Sequence, residues 1–395
     1  MNAFRLSFDQ AVKIIGAIVA EALNADGDRQ VDTLTSASWT AALEFGGDAL
    51  PLATEEIETC ARRVQAFFGR PHALAPLVNA RTLGDWARVL TAELETEFAA
   101  IRFAPAGAVD PSGFCRHAVE DVYADAAAAA NLLYGRRRVL SLVAPHSLLG
   151  LTLTVLTPNL QKIPSVDGRA MPPEQLRDAL QFGDALVATP TLWRYMLQQN
   201  VTAPDNAMGV YFGEPMTPEL SAEMRQAGFG AQREIYGSTE TGLIGWRDSP
   251  TEPFILFDQW SRNGEELIRL TTDGAERSVR PMDILQWTGD RRFLLSGRRD
   301  GALQVGAVNV FPERIADAIN AHDLVEDCVI RAARLHSGAN RLIAHIKLEA
   351  TAPPTEKTVR EIDQWCRTRL RPQERPSIFH FEASLDQVRA IAAAG

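Results

Sequence analysis

Three β-rich runs, RVLSLVA from Arg138, DALVATP from Asp184 and GVYFGEP from Gly209, constrain this 395-residue chain more than any other feature. Helix-patterned sequence alternates with them, beginning with an Ala-rich helix predicted over Asp121 to Tyr134. Strands that alternate with helices pair in parallel and are covered on both faces, so the expected fold class is α/β. The longest apolar stretch, Val139 to Leu156, contains Pro145, His146 and Gly150. It therefore reads as a buried strand followed by a helix start rather than a membrane span.

The pattern changes on either side. Residues 1–97 read as a helical head, with helices near 7–23, from Thr54 to Phe68 and in TLGDWARVL. Asp9, Lys13 and Glu21 interrupt the first apolar run at helical spacing, which argues for an amphipathic helix rather than a signal peptide and for a cytoplasmic protein. Residues 98–296 hold the α/β domain. Residues 297–395 read as a small α+β domain, with strands in CVIRAARL and RLIAHIKLEA and a helix in EKTVREIDQWCRTRL. A formal charge of -10 argues against nucleic acid as a partner, because phosphate binding rests on clustered cations. Lysine is scarce: of 40 basic residues only Lys13, Lys162, Lys347 and Lys357 are not Arg. Cys60, Cys115, Cys328 and Cys366 are scattered without metal-ligand spacing, so reduced thiols are expected and a zinc site is not.

The stretch EIYGSTETGLIGWR, Glu234 to Arg247, sets a hydroxyl beside a carboxylate on a turn that glycines make tight. Alone it also reads as an ordinary strand turn. A second motif, LSGRRDGALQVGAVNVFP from Leu295 to Pro312, follows it. Together, in this order, the two resemble the adenylate-forming superfamily of acyl- and aryl-CoA ligases and their relatives, over residues from about 100 to 380. The resemblance implies a large α/β domain and a small α+β domain on a hinge. It implies that Tyr236 packs on adenine in the turn formed with Gly237 and Ser238, that Thr239 contacts the α-phosphate, and that Glu240 holds magnesium. In GVYFGEPMTPEL, Gly213, Glu214 and Pro215 match the turn that flanks the acyl pocket and the adenine. Asp283 matches the ribose ligand better than Asp290, which lies too close to Gly297. Arg298 opens the hinge motif and Asp300 matches its pivot. AMP or ATP with magnesium, and CoA or phosphopantetheine, follow as expected cofactors. The expected partners are a small-molecule carboxylic acid or acyl thioester, and an acyl carrier protein or pathway enzyme, with no nucleic acid and no membrane.

Other stretches depart from that pattern. Where the superfamily has a Ser/Thr/Gly-rich phosphate loop ending in Pro-Lys, this chain reads FAPAGAVDPSGF. Pro105, Ala106, Ala108 and Val109 replace hydroxyls, Asp110 replaces a Gly, and Gly113 replaces the Lys. Each lost charge-assisted hydrogen bond costs roughly 1.5 to 3 kcal/mol; the other reading has magnesium bridging Asp110 to phosphate. In APHSLLG, Ser147 stands where an aromatic or His lines the carboxylate pocket, with His146 one residue away. His146 reads either as a pocket group with a catalytic role or as a buried structural histidine. No Lys follows Lys357; Ala392 lies near the place of the catalytic Lys, and Arg389, whose guanidinium is wide, is the nearby cation. In the head, Asp48-Ala49-Leu50 resembles the Asp-Ser-Leu of an acyl carrier protein without the serine; the other reading is plain four-helix packing. The compact layout resembles ligases of aryl-polyene pathways. The expectation is a homologue of acyl/aryl-acid thioester ligases with ATP-dependent adenylation lost or strongly weakened. The alternatives are an active ligase or acyltransferase using unorthodox groups, and a non-catalytic pathway scaffold.

Overall fold

The computed structural model describes residues 5–25, 31, 33–70, 74–94, 98–105, 111–305, 308–334 and 340–393. Ala106 to Asp110 of the expected phosphate cradle, and Gly306 of the hinge motif, lie outside the described residues.

The β-rich runs form the parallel half of a nine-stranded sheet. Ser165–Asp167, Arg138–Ser141, Asp184–Ala188, Met208–Tyr211 and Ala231–Ser238 lie side by side in that order, every pairing parallel. Asp184–Ala188 and Met208–Tyr211 are buried throughout, as strands covered on both faces must be. The helices between them start where the sequence dictates. Thr189 and Thr217 each accept a hydrogen bond from the backbone N–H three residues on, and Pro190 and Pro218 fill the first helical position, where a missing N–H costs nothing. Helices Pro190–Gln198 and Pro218–Gln226 thus pack Trp193, Met196, Leu220 and Met224 into one core with Leu186, Tyr211 and Phe229.

The apolar stretch from Val139 divides as expected into the strand Arg138–Ser141 and a helix at Leu148–Leu151, which widens to a π-helical segment over Thr152–Leu156. No helix among the described residues is long and apolar enough to cross a membrane. From Arg138–Ser141 the chain moves to one neighbour, Ser165–Asp167, and then returns to the other, Asp184–Ala188. In open parallel sheets, ligands bind at the carboxyl ends of strands where such a reversal opens a crevice.

Beyond Ala231–Ser238 the sheet continues antiparallel through Gly242–Arg247 and Phe254–Leu256 to the strands Arg292–Arg298 and Asp283–Gly289. Two smaller antiparallel elements accompany it: the hairpin Ala100–Phe103 with Cys115–Ala118, and a three-stranded sheet of Trp260–Asn263, Glu266–Leu270 and Glu276–Val279.

The chain divides into two compact units, Met1–Pro281 with Trp287–Leu294, and Met282–Gln286 with Leu295–Gly395. The first contains the helices Phe8–Ala25, Thr54–Phe68 and Leu83–Leu94, which bury Ile14, Ile15, Phe68 and Trp86. In the second, Asn340–Leu348 pairs antiparallel with Val325–Arg334 and parallel with Ile378–Phe381. Ile315, Ile319, Ile346 and Ile362 fill its core beneath the helices Pro312–Asn320 and Glu356–Arg369.

Trp193 is fully buried, meets Phe229 edge-on with ring centroids 4.6 Å apart, and donates its indole N–H to the Val210 carbonyl at 3.3 Å. Trp193→Ala is expected to lower the unfolding free energy by about 3–5 kcal/mol in urea titrations. A loss below about 1 kcal/mol would contradict this packing.

Candidate functional site

Glu234 to Arg247 form two strands paired in register Glu234↔Arg247 and Tyr236↔Gly245, with an irregularity between Tyr236 and Gly237 before the turn closes at Ser238↔Gly242. The turn carries its own hydrogen bonds. Ser238 N–H donates to Thr241 Oγ1 at 3.2 Å, and Thr241 N–H donates to the Ser238 carbonyl at 3.3 Å. Its glycines are sterically required. A Cβ on Gly237 would collide with the Gly242 carbonyl oxygen, and Gly242 takes φ +80 with the Asp125 carboxylate where its Cβ would be. Further along the strands, Arg247 donates to Glu234 at 2.7 Å, a nearly buried ion pair.

The turn is braced from within. Asp125, on the helix Val119–Leu132, is 2% exposed, and Arg269, on Glu266–Leu270, is 1% exposed. They pair at 2.9 Å, and Asp125 also accepts from Leu243 N–H at 3.0 Å and from Gln259 at 2.9 Å. Arg269 donates to the Thr241 carbonyl at 3.1 Å and to the Asp121 carbonyl at 2.9 Å. Burial pushes the Asp125 carboxyl up, opposed by Arg269, Leu243 and Gln259, all of which hold its ionised form. Removing one partner from such a pair strands a charge in the interior.

His117 supports the other side. It lies on Cys115–Ala118, is 3% exposed, and its Nε2 sits 2.7 Å from the Thr239 carbonyl. A carbonyl only accepts, so Nε2 carries the proton of a neutral ring. Burial drives the His117 pKa down to about 4; the Thr239 hydrogen bond opposes the shift, and Arg277 and Arg269 add to it. The hairpin flanking residues 104–114 therefore meets the turn. Burial likewise pushes the Cys115 thiol up, with the Glu240 carboxylate adding to the effect.

Tyr236 is 9% exposed, with Phe254 and Phe293 at centroid distances of 5.6 and 5.7 Å. Thr239 is half-buried and Glu240 exposed at the turn. Gly213, Glu214 and Pro215 follow Met208–Tyr211, the strand adjacent to Ala231–Ser238, so they share the same sheet edge. Glu214 accepts from Thr191 Oγ1 at 2.7 Å; burial pushes its carboxyl up, and its Oε1 is buried with no hydrogen-bond partner. His146 follows Arg138–Ser141, but its Nε2 lies 3.4 Å from Glu21 on the first helix, and Glu21 is 3.6 Å from Arg63. Ser147 serves the backbone by capping the next helix, accepting from Gly150 N–H at 3.0 Å. Asp283, Arg298 and Asp300 come together in the second unit. Arg298 donates to both oxygens of Asp300, at 2.9 and 2.6 Å, and lies 3.5 Å from Asp283. Arg298 holds the Asp300 carboxyl below the usual range.

Sequence reasoning missed His117, Asp125 and Arg269. Asp121 and Asp125 are four apart on an Ala-rich helix, and Arg269 falls on the buried phase of ELIRL; acidic and basic residues at core positions were the available signal. No group of three or more His, Cys, Asp or Glu among the described residues could hold a metal ion. The single exposed carboxylate of Glu240 fits magnesium, which keeps waters and takes other ligands from phosphate.

No protein-family model matches the chain. It is 29% identical over 304 residues to a 4-coumarate–CoA ligase of Halorhodospira halophila, covering 76% of each chain. It is 36% identical over 217 residues to a 4-coumarate–CoA ligase of Rhodobacter capsulatus, covering 54% of this chain and 53% of that relative. The amide bond synthetase McbA of Marinactinospora thermotolerans superposes with a TM-score of 0.58 at 14% identity, over 94% of this chain and 90% of that one. The chain belongs to the adenylate-forming superfamily. In this chain the turn is braced by a buried ion pair on one side and a neutral histidine on the other.

Two predictions follow from that bracing. Arg269→Met is expected to cost about 3–5 kcal/mol of stability, and Asp125→Leu combined with it to recover most of the loss, both measured by denaturant unfolding. Equal destabilisation by the single and double changes would contradict the pairing. Because the folded pKa of His117 lies below its unfolded value of 6.5, its neutral form contributes stability above pH 6.5 that is lost as pH falls toward 4. His117→Gln, which retains an N–H donor for Thr239, is expected to flatten stability over that window. A pH profile unchanged by the substitution would contradict this assignment.

Proposed function

We propose that this protein holds a carboxylic acid as its acyl- or aryl-adenylate and transfers the acyl group to the thiol of CoA or phosphopantetheine, with the ATP-dependent first half-reaction strongly weakened. The carrying observation is the braced turn, which ties down the carbonyls of Thr239 and Thr241 and presents Thr239 and Glu240 beside Tyr236. The 4-coumarate–CoA ligase relatives support an aryl acid as the substrate and CoA as the acceptor.

The two half-reactions make different demands. In the first, the carboxylate attacks the α-phosphorus and pyrophosphate leaves; charge builds on the departing group and calls for cations and aimed donors. This sequence has Pro105 and Gly113 where a hydroxyl and the Lys belong, and no Lys after Lys357. In the second, the thiol sulfur attacks the acyl carbonyl carbon. The bond from that carbon to the phosphate oxygen breaks, and AMP leaves with the electron pair while the thiol proton passes to solvent. That step needs no grip on pyrophosphate. In this reading the Thr239 hydroxyl orients the phosphate and the edge of Tyr236 receives the adenine. Magnesium, held by Glu240, would neutralise phosphate charge when bound. His146, engaged by Glu21, is assigned no chemical step.

The test is to supply purified protein with a synthetic aryl-adenylate plus CoA or a holo carrier protein, and separately to measure carboxylate-dependent pyrophosphate exchange. Thioester from the adenylate is expected, with exchange on the order of 10²–10³-fold below the transfer rate. Exchange as fast as transfer would refute the weakened first step. Absence of thioester across a panel of aryl- and acyl-adenylates would refute the transfer.

A further inference from the structure

The three-stranded sheet beside the turn carries two arginines directly opposite one another, since Glu266–Leu270 and Glu276–Val279 pair in the register Arg269↔Arg277. Directly paired residues project from the same face of a sheet, and like charges so placed repel. Arg269 is neutralised by Asp125. Arg277 is not: its Nε and Nη2 are buried with no hydrogen-bond partner, and it forms no ion pair among the described residues. A half-buried guanidinium facing a second guanidinium costs stability, and no ion pair among the described residues offsets that cost.

The shared face looks toward the turn. Arg269 reaches from it to the Thr241 carbonyl and to the Asp121 carbonyl, and Thr272, in the connection between the two strands, donates to Asp121. Arg277 is also close enough to His117, which bonds to Thr239, for its charge to disfavour the protonated ring. A cation with unused donors, paired across the sheet with the arginine that holds the Thr241 carbonyl and close to the histidine that holds the Thr239 carbonyl, matches an oxyanion. Guanidinium forks bind phosphate in two-pronged fashion, and in this chain arginine supplies all but four of the 40 basic residues.

We infer that Arg277 binds the phosphate of the adenylate at the Thr239–Glu240 turn, supplying from the adjacent sheet a cation that the residues around Gly113 do not. The inference rests on the nucleotide reading under "Proposed function" and adds a ligand-binding residue to it.

The test compares wild type, Arg277→Met and Arg277→Lys by calorimetric titration with AMP and with adenosine, alongside thermal melting of each unliganded protein. AMP affinity is expected to fall about 10–100-fold in Arg277→Met and less in Arg277→Lys, with adenosine affinity unchanged. Melting temperature is expected to hold or rise in Arg277→Met, because a repelled charge is removed; a merely structural arginine would lower it. AMP binding that is the same in wild type and Arg277→Met would overturn the role of Arg277 and leave the nucleotide reading standing. Wild type that binds neither AMP nor adenosine would overturn both. A parallel loss of AMP and adenosine affinity, or a clear drop in melting temperature, would show a structural role and overturn the inference.

Discussion

The buried pair of Asp125 and Arg269 ties together segments that the chain places far apart. Its hydrogen bonds span 118 residues to Leu243 and 144 residues between the two partners. Two charges removed from water repay their desolvation only when the geometry is good and the remaining donors and acceptors are occupied. Both Asp125 oxygens are used, by Leu243, Gln259 and Arg269, and the two terminal nitrogens of Arg269 also reach the carbonyls of Thr241 and Asp121, leaving its Nε as the one buried donor of the pair without a partner. The helix, the turn and the three-stranded sheet thereby become one rigid element.

That rigidity determines what the turn has to offer. Gly242 is compelled to be glycine because the Asp125 carboxylate fills the space of a side chain, so the glycine motif and the buried acid are one device. With the Thr239 carbonyl bound by His117 and the Thr241 carbonyl by Arg269, the turn is left with the Thr239 side chain and the exposed Glu240 carboxylate as its polar surface. His117 must be neutral to serve as a donor inside the protein without adding a charge, and burial keeps it so. The polar surface of the turn is therefore set by contacts within the protein itself.

Features written in local sequence were legible. The alternating β-rich runs located the strands that begin at Arg138 and Asp184 and the one that begins at Met208, one residue before the run read from Gly209. The turn from Tyr236 to Gly242 was visible because its glycines are demanded within a few residues. What failed to show were pairings across long separations: Asp125 with Arg269, His117 with Thr239, and the opposition of Arg269 and Arg277. Each half reads as an ordinary helix or strand residue until its partner is placed. His146 illustrates the converse. Its sequence neighbourhood reads as a pocket group or as a structural histidine, and its Nε2 lies 3.4 Å from Glu21, on a helix that the local motif says nothing about.

A crystal structure of the protein soaked with a non-hydrolysable aryl-sulfamoyl adenosine would examine this account at its centre. The account requires the adenine ring against Tyr236 and the sulfamate within hydrogen-bond reach of Thr239, with the Asp125–Arg269 pair intact beneath. Saturating analogue that leaves the turn bare, or that binds elsewhere in the protein, would contradict it.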